Sequence, residues 1–199
     1  MNECLQGRRV VLASQSPRRR ELLKLICDEF TVAPADADET VTAELLGGGA
    51  ENIPAVFAAR KALAANAQPA DFVIACDTAV LAGDEILGKP ADAADAHRML
   101  SMLSGKTHEV VSGVCMRHMG KSLSFSVKTA VEFFPLTDTE IAAYIATGEP
   151  FDKAGAYGIQ ERGALFVRRI QGDYFNVVGL PVGRLNREIM TFFALNPAL

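Results

Sequence analysis

Tryptophan is missing from this sequence, histidine occurs three times and cysteine four. Cys4, Cys27, Cys76 and Cys115 lie far apart with no C-x-x-C pair, and His97, His108 and His118 are equally scattered. Such spacing argues against a zinc site or a disulfide framework and for reduced thiols in a cytoplasm. Long hydrophobic runs are absent too. No stretch approaches a membrane span, and the opening MNECLQGRR has no apolar signal core. The expectation is a soluble, cytoplasmic protein. An excess of positive charge is also lacking: the net charge is −4. That balance argues against a general nucleic-acid binder and confines any basic site to a local patch on an acidic body.

What is present suits a folded domain. Hydrophobic residues make up 49% of the chain and charged residues 22%, an ordinary globular balance. A chain of 199 residues is long enough to bury one core or to form one two-lobed unit. Strands are expected over residues 9–13, 30–33, 72–76 and 165–169. FVIAC at 72–76 is a continuous apolar run, the mark of a strand covered on both faces. VLAGDEIL turns back at Gly83-Asp84, and a longer hairpin runs through 110–119 and 122–133 around Gly120. Helices are expected over 17–26, 52–65, 91–103, 137–146 and 182–193, the fourth opened by the capping box Thr137–Glu140. LLGGGAE at 45–51 reads as flexible. Mixed strands and helices of this kind predict an α/β or α+β sheet with helices packed on it, not a pure doubly wound fold.

Two familiar phosphate motifs fail on inspection. LSGKT at 103–107 mimics the end of a P-loop, but the glycine required six residues before the lysine is Leu100. GGG at 47–49 continues as AEN, so the dinucleotide fingerprint fails as well.

LASQSPRRREL at 12–22 is a stronger signal. A strand enters Ser14-Gln15-Ser16 and a helix follows, with Ser16 as N-cap and Pro17 in the first helical position. Free amides, hydroxyls and the helix dipole make an anion site there. Arg18, Arg19 and Arg20 crowd the dipole's positive end, where cations are unfavourable unless an anion joins them. Successive helical residues turn by about 100°, so the three cannot meet one ligand. Arg18 and Arg19 are the candidates for gripping phosphate, and Arg20 is expected to face solvent.

CDTAV at 76–80 puts Asp77 at the end of a buried strand, where α/β folds place ligands. Such an aspartate can hold a divalent metal, take a proton from water, or simply cap the turn. GKP at 88–90 closes the hairpin and is expected to return Lys89 toward Asp77. In FDKAGAYGIQERG at 151–163, glycines let the backbone approach a ligand while Asp152, Lys153, Tyr157 and Gln160 supply polar groups. The Gln160 amide offers both a donor and an acceptor to a base edge. A glycine-bearing surface loop would account for this stretch equally well.

Taken together, LASQSPRRRELL (12–23), DADE (36–39), FAARKA (57–62), CDTAV with GKP (76–90), LSGKTHEVVSGV (103–114), EPFDKAGAYGIQ (149–160) and YFNVVGLP (174–181) resemble the Maf family of nucleoside triphosphate pyrophosphatases, in the family's order and over nearly the whole chain. The resemblance implies one Maf-like domain over 1–199, two-lobed around a deep cleft and related to the inosine triphosphate pyrophosphatases. It implies a cytoplasmic, often dimeric enzyme dependent on Mg²⁺ or Mn²⁺ that cleaves between the α and β phosphates. By the resemblance, Asp77 is the catalytic aspartate and Glu39 a functional acidic position, and the two together are expected to hold the metal. Ser14, Arg18, Arg19, Lys61 and Lys89 fall on phosphate-gripping positions, and Arg18, Thr78 and Gln160 on positions linked with base choice. KAGAYGIQ is similar to the branch acting on dTTP and UTP, and modified pyrimidine nucleotides come within the same expectation. Two departures stand out: Glu161 follows Gln160 where a glycine is usual, and Cys76 precedes the aspartate where a small residue is common. Two readings outside catalysis remain, a nucleotide-binding regulator of cell division and a nucleic-acid binder using the arginines.

Overall fold

The structure, a computed structural model, describes residues 2–198. Along the chain run β1 (Val10–Leu12), α1 (Pro17–Leu23), β2 (Thr31–Val32), α2 (Ala43–Gly47), α3 (Ile53–Ala64), β3 (Phe72–Ala82) and β4 (Glu85–Leu87). They are followed by α4 (Ala93–Leu103), β5 (Thr107–His118), β6 (Lys121–Phe133), α5 (Asp138–Ile145), β7 (Val167–Gln171), α6 (Tyr174–Val178) and α7 (Val182–Leu195). The strands hydrogen-bond in the order β2-β1-β3-β5-β6-β7, with β4 paired to β3. β1 is parallel to both β2 and β3, whereas β4 and β7 run antiparallel to their partners. The sheet is therefore mixed, as the sequence predicts.

The chain groups into two compact units. The first takes the chain up to Asp77, Ser112–Val127, and the chain from Gly179 onward; the second takes Thr78–Val111 and Lys128–Val178.

In the first unit small side chains dominate one packing layer. Val11, Ala13, Ala58, Ala62, Val73, Ala75 and Cys115 are buried against one another. Alanines at 58 and 62 share one helical face, so α3 lies close on the strands. Contact is closest at Gly113, where an added Cβ would stand 2.0 Å from the Ala55 nitrogen. A second layer uses α7, whose Val182, Leu185, Ile189 and Phe192 recur at helical spacing and are buried. Phe72 meets Phe192 edge-on, with centroids 5.7 Å apart.

The second unit is built around larger rings. Leu100, Leu103, Val131, Phe133, Ile141, Tyr144, Tyr157 and Phe166 form its core. Phe133 packs edge-on against both His108 and Tyr157, at 4.9 and 4.7 Å. Thr137 and Glu140 form the expected capping box of α5. LSGKT ends α4, and the Ser104 hydroxyl accepts the Leu136 amide at 2.7 Å. That segment is a turn brace, in keeping with the failed P-loop pattern.

Four local expectations are corrected. Thr42 caps a short helix, α2, through the Leu45 amide, and that helix takes in residues 45–47 of the stretch expected to be flexible. A five-residue α6 occupies Tyr174–Val178, where no element was expected. α1 stops at Leu23, three residues early, because its last turn tightens through the Leu25 and Ile26 amides onto Leu22 and Leu23. β3 does not end at Asp77 but runs on to Ala82, because Val80 to Ala82 pair with β4.

Candidate active site

β1 leads into Ala13, whose amide donates to the Ile74 carbonyl of β3 at 2.8 Å. Leu12 is in register with Ile74. Ser14 and Asp77 therefore both lie past the same end of the parallel strands, the carboxyl end, where α/β folds form their sites. Asp77 holds that place although it is in the middle of β3.

The Ser14 hydroxyl is buried and accepts from the Ser16 amide and from Arg19 Nη1, each at 3.3 Å. Ser16 caps α1 by accepting the Arg19 amide, with Pro17 at the first helical position, as expected. Arg19 Nε donates to the Gly179 carbonyl at 2.9 Å. The Cys76 thiol donates to that same carbonyl at 3.2 Å. Gly179 has a φ of +125°, a backbone setting that favours glycine. One oxygen thus fixes both the arginine and the residue that precedes Asp77.

Arg18 is half-buried. Arg20, expected in solvent, is half-buried as well and donates to the Gln15 carbonyl at 3.3 Å. Helical side chains lean toward the N-terminus, and the long guanidinium chain reaches the loop ahead of the cap. α1 has only seven residues, so the dipole that made these arginines look misplaced is short.

Lys61 is the centre of the charged cluster. Its neighbours Ala58 and Ala62 are fully buried, which fixes α3 and projects the lysine sideways. Lys61 Nζ lies 2.5 Å from Asp77 Oδ1 and 2.8 Å from Glu39 Oε1. The Lys61 and Asp77 side chains are only 12% and 15% exposed, whereas Glu39 is 54% exposed. The lysine therefore joins the two acidic residues directly. Arg60 was not singled out by sequence reasoning, yet its Nη1 donates to the Asp38 carbonyl at 2.8 Å. Two adjacent cations on α3 hold two adjacent acids of DADE. The only sequence signal for this is that matched dipeptide charge.

Glu39 and Asp77 are the two residues offered as metal ligands. Both carboxylates approach one ammonium, so one cation-sized volume lies within reach of both. A pair of hard oxygen donors suits a hard divalent cation. Among the described residues no group of three His, Cys, Asp or Glu could hold a metal, so protein ligands alone would not fill its coordination sphere.

The remaining candidates belong to the second unit. Thr78 follows Asp77 on β3 and is half-buried. Lys89 is exposed just beyond β4, and the adjacent Gly88 carbonyl accepts the Gly155 amide at 3.0 Å. GKP is thereby tied to the KAGAYGIQ segment. Lys153 is buried, and its Nζ donates to the Glu149 carbonyl and to Asp152 Oδ1, both at 2.8 Å. Its ammonium is occupied in holding the loop. Tyr157 is buried, and its hydroxyl meets His108 Nε2 at 2.8 Å. Burial lowers the His108 pKa to about 4 and raises that of Tyr157. Gln160 is exposed on the rim of an open groove shared with Thr147, Glu149, Arg162 and Leu165.

The fold is similar to that of the Ham1 protein of Staphylococcus aureus. The TM-score is 0.52 at 16% identity, over 92% of this chain and 99% of that one. This places the chain in a class of mixed α/β proteins with that topology. The Maf-like protein family matches residues 9–192. A dTTP/UTP pyrophosphatase of Bacillus cytotoxicus is 46% identical over 93% of this chain and 96% of its own length. One from Bacillus thuringiensis subsp. konkukian is 45% identical over 93% of this chain and 96% of its own. The chain belongs to the Maf family. No helix among the described residues is long and apolar enough to cross a membrane.

Proposed function

We propose that this protein is a nucleoside triphosphate pyrophosphatase that hydrolyses dTTP and UTP to the nucleoside monophosphate and pyrophosphate. The observation that carries the reading is the Asp77–Lys61–Glu39 cluster at the carboxyl end of the parallel strands. The identity to dTTP/UTP pyrophosphatases over 93% of the chain supports the choice of substrate.

Asp77 takes the proton of a water whose oxygen attacks the α-phosphorus. The bridging bond to the β-phosphate breaks, and pyrophosphate leaves with the electron pair. The substrate carries about four negative charges near neutral pH. Arg18, Arg19, Lys61 and Lys89 oppose that charge, which is where such reactions gain most of their acceleration. Ser14 holds Arg19 in place from below. Glu39 and Asp77 would hold a divalent cation, which supplies charge neutralisation at the phosphates when bound. Thr78 and Gln160 serve base choice, and Lys153 braces the loop on which Gln160 stands. The protein works as a homodimer in a cytoplasm on this reading.

The test is Asp77→Asn. It is expected to fold as the wild type and to lower turnover of dTTP by about 10³-fold or more, as for loss of a general base. Pyrophosphate release measured with dTTP and Mg²⁺ checks this. Saturable nucleotide binding by the wild type without pyrophosphate release would instead establish a nucleotide sensor.

A further inference from the structure

We infer that Glu149 is the positioning residue for the Gln160 segment, and hence for the choice of base. The inference rests on the reading of Gln160 given above. Glu149 Oε2 accepts the Arg162 amide at 3.1 Å, and Oε1 accepts the Gly163 amide at 3.3 Å. Oε1 also accepts the Tyr144 hydroxyl at 2.9 Å, and the Tyr144 oxygen in turn accepts the Gly158 amide at 3.1 Å. One carboxylate therefore grips the loop on both sides of Gln160, directly after it and through a tyrosine before it. Bonds from amides to an ionised acceptor are about twice as strong as neutral ones.

The loop has no slack at this point. A Cβ on Gly163 would stand 2.5 Å from the Gly158 carbonyl and 2.8 Å from the Tyr144 hydroxyl. The Tyr144 ring is itself fixed, edge-on to Phe166 at 4.9 Å. Burial raises the pKa of Tyr144, so its hydroxyl keeps the proton that it donates to Glu149. Gln160 remains exposed at the crown of a loop whose two feet are pinned. A carboxamide held at a fixed height can discriminate among base edges, whereas one on a swinging loop accepts several.

The experiment measures kcat and KM for dTTP, UTP, CTP and GTP in the wild type, Glu149→Ala, Glu149→Gln, Tyr144→Phe and Gln160→Ala, with thermal midpoints recorded alongside. Glu149→Ala is expected to raise KM for dTTP and UTP about ten-fold while kcat changes less than about three-fold, and to bring the preference over CTP and GTP close to unity. Glu149→Gln, which keeps an acceptor for the amides, should recover most of that preference, and Tyr144→Phe should fall between. A folded Glu149→Ala that keeps the wild-type ranking overturns the inference, and so does a uniform loss of kcat. If Glu149→Ala does not fold, an unchanged ranking in Tyr144→Phe overturns it. Should Gln160→Ala shift the ranking while the Glu149 variants do not, only the positioning role falls. If neither shifts it, the reading of Gln160 falls as well.

Discussion

In the first unit Lys61, Asp77 and Glu39 meet through their charged ends, whereas in the second Glu149 directs its carboxylate to backbone amides and a phenol. A side-chain ion pair can exchange partners when a polyanion arrives. A carboxylate committed to amides cannot do so without loosening the backbone itself. The first arrangement suits a place where charge must be traded during a reaction. The second suits a place where shape must be kept. The cores match this division, with alanines letting a helix lie close in one unit and interlocked aromatic rings filling the other.

The comparison can be broken at its most sensitive point by Lys61→Met. Removing the shared ammonium is expected to reduce dTTP turnover by about 10²–10³-fold, read by pyrophosphate release. A mild effect would mean that the charged cluster is only structural.

The second unit is tested next by pH. His108 is 2% exposed, and burial holds its pKa at about 4 against an ordinary 6.5. Between those values the unfolded chain binds a proton that the folded chain refuses. Its contribution is therefore complete above about pH 6.5 and is lost as the pH falls toward 4, a change of about 3 kcal/mol. Urea unfolding at several pH values should show this slope, and His108→Leu should flatten it relative to wild type.

A third variant, Gly113→Ala, forces a methyl group into the start of α3. A loss of about 1–3 kcal/mol in stability is expected, together with reduced turnover, because α3 carries Lys61. Denaturant midpoints and activity should fall together. The smallest effect is expected from Arg20→Ala. Turnover should change by less than about three-fold, since the Arg20 guanidinium meets the Gln15 carbonyl through an exposed bond. Arg18→Ala and Arg19→Ala should each lose about ten-fold or more.

Much of this was legible in the residues. The α5 capping box, the cap and proline of α1 and the turn after Ala82 are local signals, and the structure reproduces them. Asp77 was visible because a buried apolar run leads straight to it. Lys61 is put forward by the family resemblance alone, and not as the partner of Asp77 and Glu39, because that meeting depends on how α3 packs against the strands. Glu149 lay in a recognisable segment without drawing notice, since its partners are backbone amides, which look alike in every sequence. The length of β3 was hidden by Asp77-Thr78, a polar pair that reads as a strand end until β4 supplies a partner beyond it.

The Gly179 carbonyl receives both Arg19 and Cys76. Variation in this protein is therefore constrained in pairs. A substitution that rotates the peptide at 179 displaces Arg19 and the residue that precedes Asp77 in the same event. Lineages that alter this corner are expected to carry compensating changes at 19, 76 and 179 together, so the three positions should be inherited as a block.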